Sequence, residues 1–238
     1  MIIKKRNLIL GACVTGALLN YINDSDIGTI YQRISFILGN VSFNDTISLI
    51  MTATVWFFPQ IVLFLFAGNY LEISVIDIFP YVRTRTDDIS SFLLRLWASL
   101  FLIVALFYAM IIMISVFVFM YSGENHIVPE DIPYLILSVL LYIVYYTLIL
   151  ILGNSLSMRY GAVNSTVATL LSQGILLFLA MKMKGSAVCY LLLPCWVLFR
   201  RDYQYNAAYM TAQIGILLLC GSVVFLLSKR WLNQKEDI

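Results

Sequence analysis

The chain has 238 residues, of which 61% are hydrophobic and 12% are charged, with a formal net charge of +2. Because an average soluble domain carries about 25% charged residues, this composition favours an integral membrane protein over a soluble enzyme. The small net charge gives no indication of nucleic-acid binding. A stretch of 238 residues also leaves no room for a helical membrane domain together with a nucleotide-binding domain.

Long apolar segments alternate with short polar ones along the whole chain. An α-helix rises about 1.5 Å per residue, so about 20 apolar residues cross a hydrocarbon layer of about 30 Å. The apolar runs are continuous and do not alternate with period two, which excludes a transmembrane barrel. The sequence therefore predicts an all-α integral membrane protein, one domain over 1–238 with six transmembrane helices. The predicted spans are 7–22, 47–68, 92–121, 133–158, 165–181 and 208–228.

The first span follows a basic cluster, Lys4 to Arg6, which is also how a signal peptide begins. No small-x-small cleavage site is present, because Gly16 and Ala17 run directly into leucines. We therefore expect an uncleaved first helix. Ala12 and Gly16 lie four residues apart and form a face of small residues that lets another helix approach closely.

Basic residues favour an orientation with both termini in the cytoplasm, because ten of the 15 lysines and arginines then lie on the cytoplasmic side. The apolar segment 185–199 is short and contains Pro194, which predicts a re-entrant segment before the last span rather than a further span. If it did span, nine basic residues would lie on the cytoplasmic side and six on the other. Charge would then distinguish the two topologies only weakly. Whether Cys189 and Cys195 form a disulfide is open at this point.

The residues needed for most membrane-enzyme chemistry are missing from the sequence. It has no H-E-x-x-H or G-x-S-x-G motif, and no P-loop that would bind ATP. The single histidine, His126, lies near Glu124, Glu130 and Asp131, but a solvated acidic loop explains this group better than a metal site. The spans also lack the central ionisable residues that couple ions to transport, so any transport would take its energy from elsewhere.

Uncharged polar residues within the spans are candidates for a substrate path. Pro59 bends the second span, and the following glutamine either satisfies the freed carbonyls or lines the path. Three tyrosines of the fourth span, at positions i, i+3 and i+4, share one helical face. They offer either an amphipathic wall to a substrate or ordinary packing with bonded hydroxyls. The candidate path residues are Gln60, Tyr142, Tyr145, Tyr146, Ser172 and Gln173.

The predicted cytoplasmic loop 69–91 mixes apolar and charged residues. One interpretation is a juxtamembrane loop whose arginines meet anionic headgroups. The other is a short interfacial helix with a projecting tip that fits a groove on a soluble partner. Asp87 or Asp88 is placed to cap the long third helix. The tip residues that would make the partner contact are Phe79, Pro80, Tyr81, Arg83, Thr84 and Arg85.

Six spans, cytoplasmic termini, a sizeable loop after span two and a re-entrant segment before the last span resemble the permease subunits of type-two ATP-binding-cassette exporters. The small permeases of bacteriocin, lantibiotic and peptide-toxin exporters are the most similar in size. The run from Tyr81 to Arg85, followed by Phe92 to Trp97, is similar to their arginine-bearing tip and long third helix. The resemblance covers the whole chain as an architecture.

The resemblance implies that two permeases pair and that each docks a separate P-loop ATPase through the 69–91 loop. The chain would need no cofactor, because ATP and Mg²⁺ would be bound by the ATPase subunit. Segment 185–199 would form an outer gate, and the substrate would be an amphipathic peptide or a lipid-like molecule exported through a bacterial plasma membrane. The alternative is a membrane protein that senses a peptide, or confers immunity to it, without transport. An intramembrane enzyme lacks candidate groups.

Overall fold

A computed structural model describes residues 5–22, 30–38, 46–75, 89–121, 132–183 and 207–234 of the chain. The described residues are helical apart from short turns. The helices are α1 (Lys5–Ile22), α2 (Ile30–Ile37), α3 (Thr46–Ala67), α4 (Ile89–Tyr121), α5 (Ile132–Tyr160), α6 (Ala162–Lys182) and α7 (Ala207–Gln234).

Five stretches of the described helices are long and apolar enough to cross a membrane. They are Ala53–Val75, Ile89–Tyr121, Leu135–Tyr160, Ala162–Leu179 and Met210–Leu232. The prediction of an all-helical membrane protein is therefore confirmed. The apolar part of α1, Asn7–Tyr21, is shorter than these five stretches, so the count of six spans stays a prediction.

Helix α5 occupies the centre of the helix assembly. It packs most extensively on α6 and α7, and it also contacts α3 and α4. Its inner residues are almost fully buried, as shown by Leu141, Tyr145 and Leu150, which expose 1% of their surface or less. Helix α1 lies on the other side of α4, where buried Ala12 and Gly16 face it. A Cβ added at Gly16 would lie 3.5 Å from the Ile111 backbone, so the predicted small-residue face does bring two helices close together.

Two glycines of the central region are required by the structure, one by its neighbours and one by its backbone conformation. A Cβ at Gly153 of α5 would lie 2.5 Å from the Phe64 ring of α3, so only glycine allows this approach. Gly161 has a φ of 82°, a left-handed conformation that ends α5 and turns the chain into α6. Its N–H donates to the Ser157 carbonyl at 2.9 Å. The connection between α5 and α6 is thus a tight glycine turn.

Several sequence predictions lie outside the described residues. These are the re-entrant segment 185–199 with Cys189 and Cys195, the loop around His126, and the tip residues Phe79 to Arg85. They stay predictions. The structure also contains an element that the sequence did not predict, the eight-residue helix α2, which packs on α4.

Candidate functional site

Helix α5 carries four polar side chains that form hydrogen bonds with three other helices or their ends. Tyr145 reaches α6, Tyr146 reaches α3, Asn154 reaches the end of α3, and Ser155 reaches α7. All four side chains expose 2% of their surface or less. In a membrane, where helices cannot rely on hydrophobic exclusion to associate, such bonds help to set which helices pair and in what register.

Asn154 joins α5 to the point where α3 ends. Helix α3 stops at Ala67, a two-residue turn follows, and residues 70–75 are helical again. At such a break the last carbonyls of one helix and the first N–H groups of the next lack partners within their own helices. The Asn154 amide supplies both partners, because Nδ2 donates to the Ala67 carbonyl at 2.7 Å and Oδ1 accepts from the Leu71 N–H at 2.9 Å. We call Ala67, Leu71 and Asn154 the α3–α5 junction.

Leu71 of the α3–α5 junction lies within the predicted docking loop 69–91. The prediction of a loop is wrong for residues 70–75, which are helical and belong to the apolar stretch Ala53–Val75. The described part of that loop ends at Val75, four residues after Leu71, and the predicted tip begins at Phe79. Asn154 Nδ2 also donates to the Leu150 carbonyl of its own helix at 2.9 Å, which fixes the amide orientation. The chain therefore enters the predicted docking loop from a point that is bonded directly to the central helix.

A second contact between α3 and α5 lies about two helical turns away. Gln60 Nε2 donates to the Trp56 carbonyl at 3.2 Å, and to the Tyr146 hydroxyl at a long 3.4 Å. The Tyr146 hydroxyl in turn donates to the Tyr142 hydroxyl at 3.4 Å. Pro59 has no N–H for the Val55 carbonyl, and Gln60 bonds the next carbonyl along α3 rather than that one. Gln60 therefore does not supply the partner that Pro59 removes from the Val55 carbonyl.

Toward α6, Tyr145 donates its hydroxyl hydrogen to Gln173 Oε1 at 2.5 Å. The structure therefore brings five of the six predicted path residues into one group and separates the sixth. Ser172 is half-buried and donates to the Thr169 carbonyl of its own helix at 2.7 Å. We define the tyrosine–glutamine cluster by the residues that share this group, namely Gln60, Tyr108, Tyr142, Tyr145, Tyr146 and Gln173.

Tyr108 of α4 is a member of this cluster that the sequence did not single out. Its ring stacks on Tyr146 at 5.2 Å between centroids and meets Tyr142 edge-on at 5.8 Å. The signal that could have pointed to it is a tyrosine in the interior of a 33-residue apolar helix, whose other tyrosine is its last residue. Within the cluster, the buried Gln60 Oε1 and the Tyr108 hydroxyl have no hydrogen-bond partner among the described residues. The indole Nε1 of Trp56, one turn before Gln60 on α3, also has none there. An acceptor and a hydroxyl of the cluster are therefore available to polar groups from outside it.

A separate polar group lies toward the C-terminal ends of α1 and α4. Arg33 of α2 donates from Nε to Asn20 Oδ1 at 3.1 Å, and Asn20 Nδ2 donates to the Ser115 hydroxyl at 3.0 Å. Ser115 completes the chain by donating to the Ile111 carbonyl at 2.7 Å. Arg33 is the one buried charged side chain among the described residues. This group fixes α2 against α1 and α4 and does not contact the tyrosine–glutamine cluster through any of these bonds.

The chemistry available at the tyrosine–glutamine cluster is that of neutral hydrogen bonding beside aromatic surface. Hydroxyl and amide groups can hold the polar atoms of an amphipathic molecule, and the rings can pack against its apolar part. Within the described ranges, no three histidine, cysteine or acidic side chains are grouped closely enough to hold a metal ion. No family model, no curated protein and no solved structure matches the chain.

Proposed function

We propose that the chain is the membrane-spanning subunit of an ATP-driven exporter, with the ATPase as a separate subunit docked at the 69–91 loop. The observation that carries this proposal is the α3–α5 junction. A displacement of the predicted tip would reach Leu71 through the helical residues 72–75, and Leu71 is hydrogen-bonded to Asn154 of the central helix. Because α5 is itself bonded to α6 and α7, such a displacement has a direct route to the other helices.

The tyrosine–glutamine cluster supports an amphipathic substrate, a peptide or a lipid-like molecule. Its side chains bury neutral polar groups against aromatic rings, which suits a molecule with both kinds of surface. In this proposal, a second permease completes the path, and a change at the loop separates α3 from α5 so that Gln60 and Tyr146 become accessible. The protein would lie in a bacterial plasma membrane with both termini in the cytoplasm, as the distribution of basic residues predicts.

A protein that binds a peptide for sensing or immunity, without moving it, is the second candidate. The dense packing of the cluster favours it, because Tyr142, Tyr145 and Tyr146 expose at most 3% of their surface. A fixed receptor needs no route through its centre, whereas an exporter must open one. Because opening such a route requires energy from an ATPase, the two candidates differ in whether an ATPase is bound.

The deciding experiment is purification from the native host in a mild detergent, with mass spectrometry of the proteins that accompany the chain. The exporter proposal predicts a P-loop ATPase in stoichiometric amount. A folded, monodisperse chain without an ATPase would overturn it and favour the sensing or immunity protein.

A pair of double variants tests the docking site itself. Arg83→Ala with Arg85→Ala should lose the ATPase while the chain still inserts into the membrane, because the tip contact is removed. Lys182→Ala with Lys184→Ala removes the same charge on the opposite predicted side and should retain the ATPase. Equal retention by both double variants would place the docking site elsewhere.

A further inference from the structure

A groove of about 590 Å³ runs between α4, α5 and α7. Helices α4 and α7 both pack on α5 but contact each other only slightly, so they diverge and leave α5 as the floor. Trp97 and Phe101 form one wall, Leu148 and Ile151 lie on the floor, and Phe225 and Leu226 form the other wall. This volume is within the range of about 300–1,000 Å³ that ligand sites in proteins occupy.

The surface of the groove is hydrocarbon along its length. The two hydroxyl groups that line it are turned back to their own helices, since Thr147 donates to the Ile143 carbonyl at 2.7 Å and Ser222 to the Leu218 carbonyl at 3.0 Å. The lining part of α7 from Leu217 to Leu226 rises roughly 14 Å. This length is close to the hydrocarbon thickness of one leaflet, about 15 Å, which is half of a typical bilayer core.

One end of the groove carries a lysine that bridges its two walls. Lys229 Nζ donates to the Ser90 hydroxyl at 2.7 Å, which ties the end of α7 to the start of α4. Lys229 lies one turn beyond Phe225 on the same helical face, and Ser90 lies one turn before Leu94 of the opposite wall. The ammonium group therefore sits at the end of the apolar groove.

The charged residues within the three groove helices have a single sign, while Asp87 and Asp88 directly precede α4 in the sequence. The three helices that form the groove contain four charged residues, and all four are basic. Three of them, Arg95, Lys229 and Arg230, lie at the end of the groove marked by Lys229, and Arg95 and Arg230 are exposed. The groove thus combines an apolar channel of leaflet length with a cationic end.

We propose that the α4–α7 groove binds an anionic phospholipid of the surrounding bilayer, with one acyl chain along the groove and the phosphate beside Lys229. Basic sites between transmembrane helices recognise anionic headgroups by charge, and the membrane side with most basic residues is the cytoplasmic one. A bilayer lipid is the occupant because the groove lies within the apolar span Met210–Leu232 and opens laterally between helices. The site is independent of the ATPase proposal and holds whether or not an ATPase docks.

The test uses the purified full chain in mixed micelles with dioleoyl phosphatidylglycerol or dioleoyl phosphatidylcholine, and native mass spectrometry counts the lipids retained. Wild type should retain the anionic lipid more tightly. Lys229→Gln should lower that preference about fivefold, because one basic residue contributes roughly this factor to binding at an anionic membrane surface. Lys182→Gln is the matched control in the last turn of α6 and should leave the preference unchanged.

Two further measurements keep the test decisive if Lys229→Gln folds poorly. In wild type, the preference for phosphatidylglycerol should fall as ionic strength rises, because salt screens the headgroup contact. Gly221→Leu fills the groove next to Leu148 and should lower retention of both lipids. Equal retention of the two lipids at low salt, or equal effects of Lys229→Gln and Lys182→Gln, would overturn the proposal. Retention of a peptide in place of lipid would also overturn it.

Discussion

The two sides of α5 are filled in different ways. On the side of α3 and α6, tyrosine, glutamine and asparagine side chains form interhelical hydrogen bonds. Gly153 allows α3 to approach so closely that a Cβ there would clash with the Phe64 ring. On the side between α4 and α7, the helices diverge and leave a groove of about 590 Å³. The first side fixes helix positions through specific bonds. The second side is suited to a mobile hydrocarbon chain, which needs no specific bond to fill it.

The largest expected effect comes from breaking the α3–α5 junction. Asn154→Ala leaves the Ala67 carbonyl and the Leu71 N–H without partners in a buried position. We expect the free energy of unfolding to fall by about 2 kcal/mol, measured by equilibrium unfolding in mixed micelles.

Asn164→Ala is the matched control for that variant. Asn164 also donates to the carbonyl four residues earlier, Tyr160, but it is exposed and bonds no other helix. Its replacement should change the unfolding free energy by less than about 0.5 kcal/mol. Similar losses for the two alanine variants would mean that the bonds to α3 do not stabilise the fold.

A smaller effect is expected from adding one methyl group on each side of α5. Gly153→Ala places a Cβ against the buried Phe64 ring and should lower the unfolding free energy by about 1.5 kcal/mol through overpacking. Gly221→Ala, in the groove wall, meets only Leu148 at 3.8 Å and should be neutral or stabilising. If Gly221→Ala destabilised as much as Gly153→Ala, the distinction between a filled side and an open side would fail.

The smallest effect concerns a single interhelical hydroxyl. Tyr145→Phe removes the bond to Gln173 and should lower the unfolding free energy by about 0.6 kcal/mol, the average for such bonds within membranes. Tyr121→Phe removes a hydroxyl from a residue that is 89% exposed, and it should have no measurable effect. The same unfolding measurement compares the two, and an unchanged Tyr145→Phe variant would show that the short bond is energetically neutral.

The helices could be predicted from the sequence because their signal is local. A long apolar run must satisfy its own backbone hydrogen bonds in lipid, so it specifies a helix wherever it lies in the chain. The spacing of Tyr142, Tyr145 and Tyr146 likewise placed them together in the fourth predicted span, and all three are buried. Helix α2 was missed because eight residues that include Arg33 give no such run.

The pairing of polar groups could not be predicted because it is not local. Asn154 meets Ala67 across 87 residues of sequence, and its position near the end of a span says nothing about which helix it faces. Tyr108 was overlooked for the same reason, since its polar neighbours lie on another helix. The groove depends on the divergence of α4 and α7, which no spacing along either helix encodes.

The hydrogen bonds of α5 also imply an order of assembly during synthesis. The partners of Asn154 and Tyr146 on α3 precede α5 in the chain, so they are already in the membrane when α5 arrives. Ser155 instead bonds Ser228, which is 73 residues further on and reaches the ribosomal tunnel roughly 4–15 s later at about 5–20 residues per second. The contacts of α5 with α3 are therefore available as soon as α5 is made, whereas its bond to α7 forms only after α6 and α7 have followed.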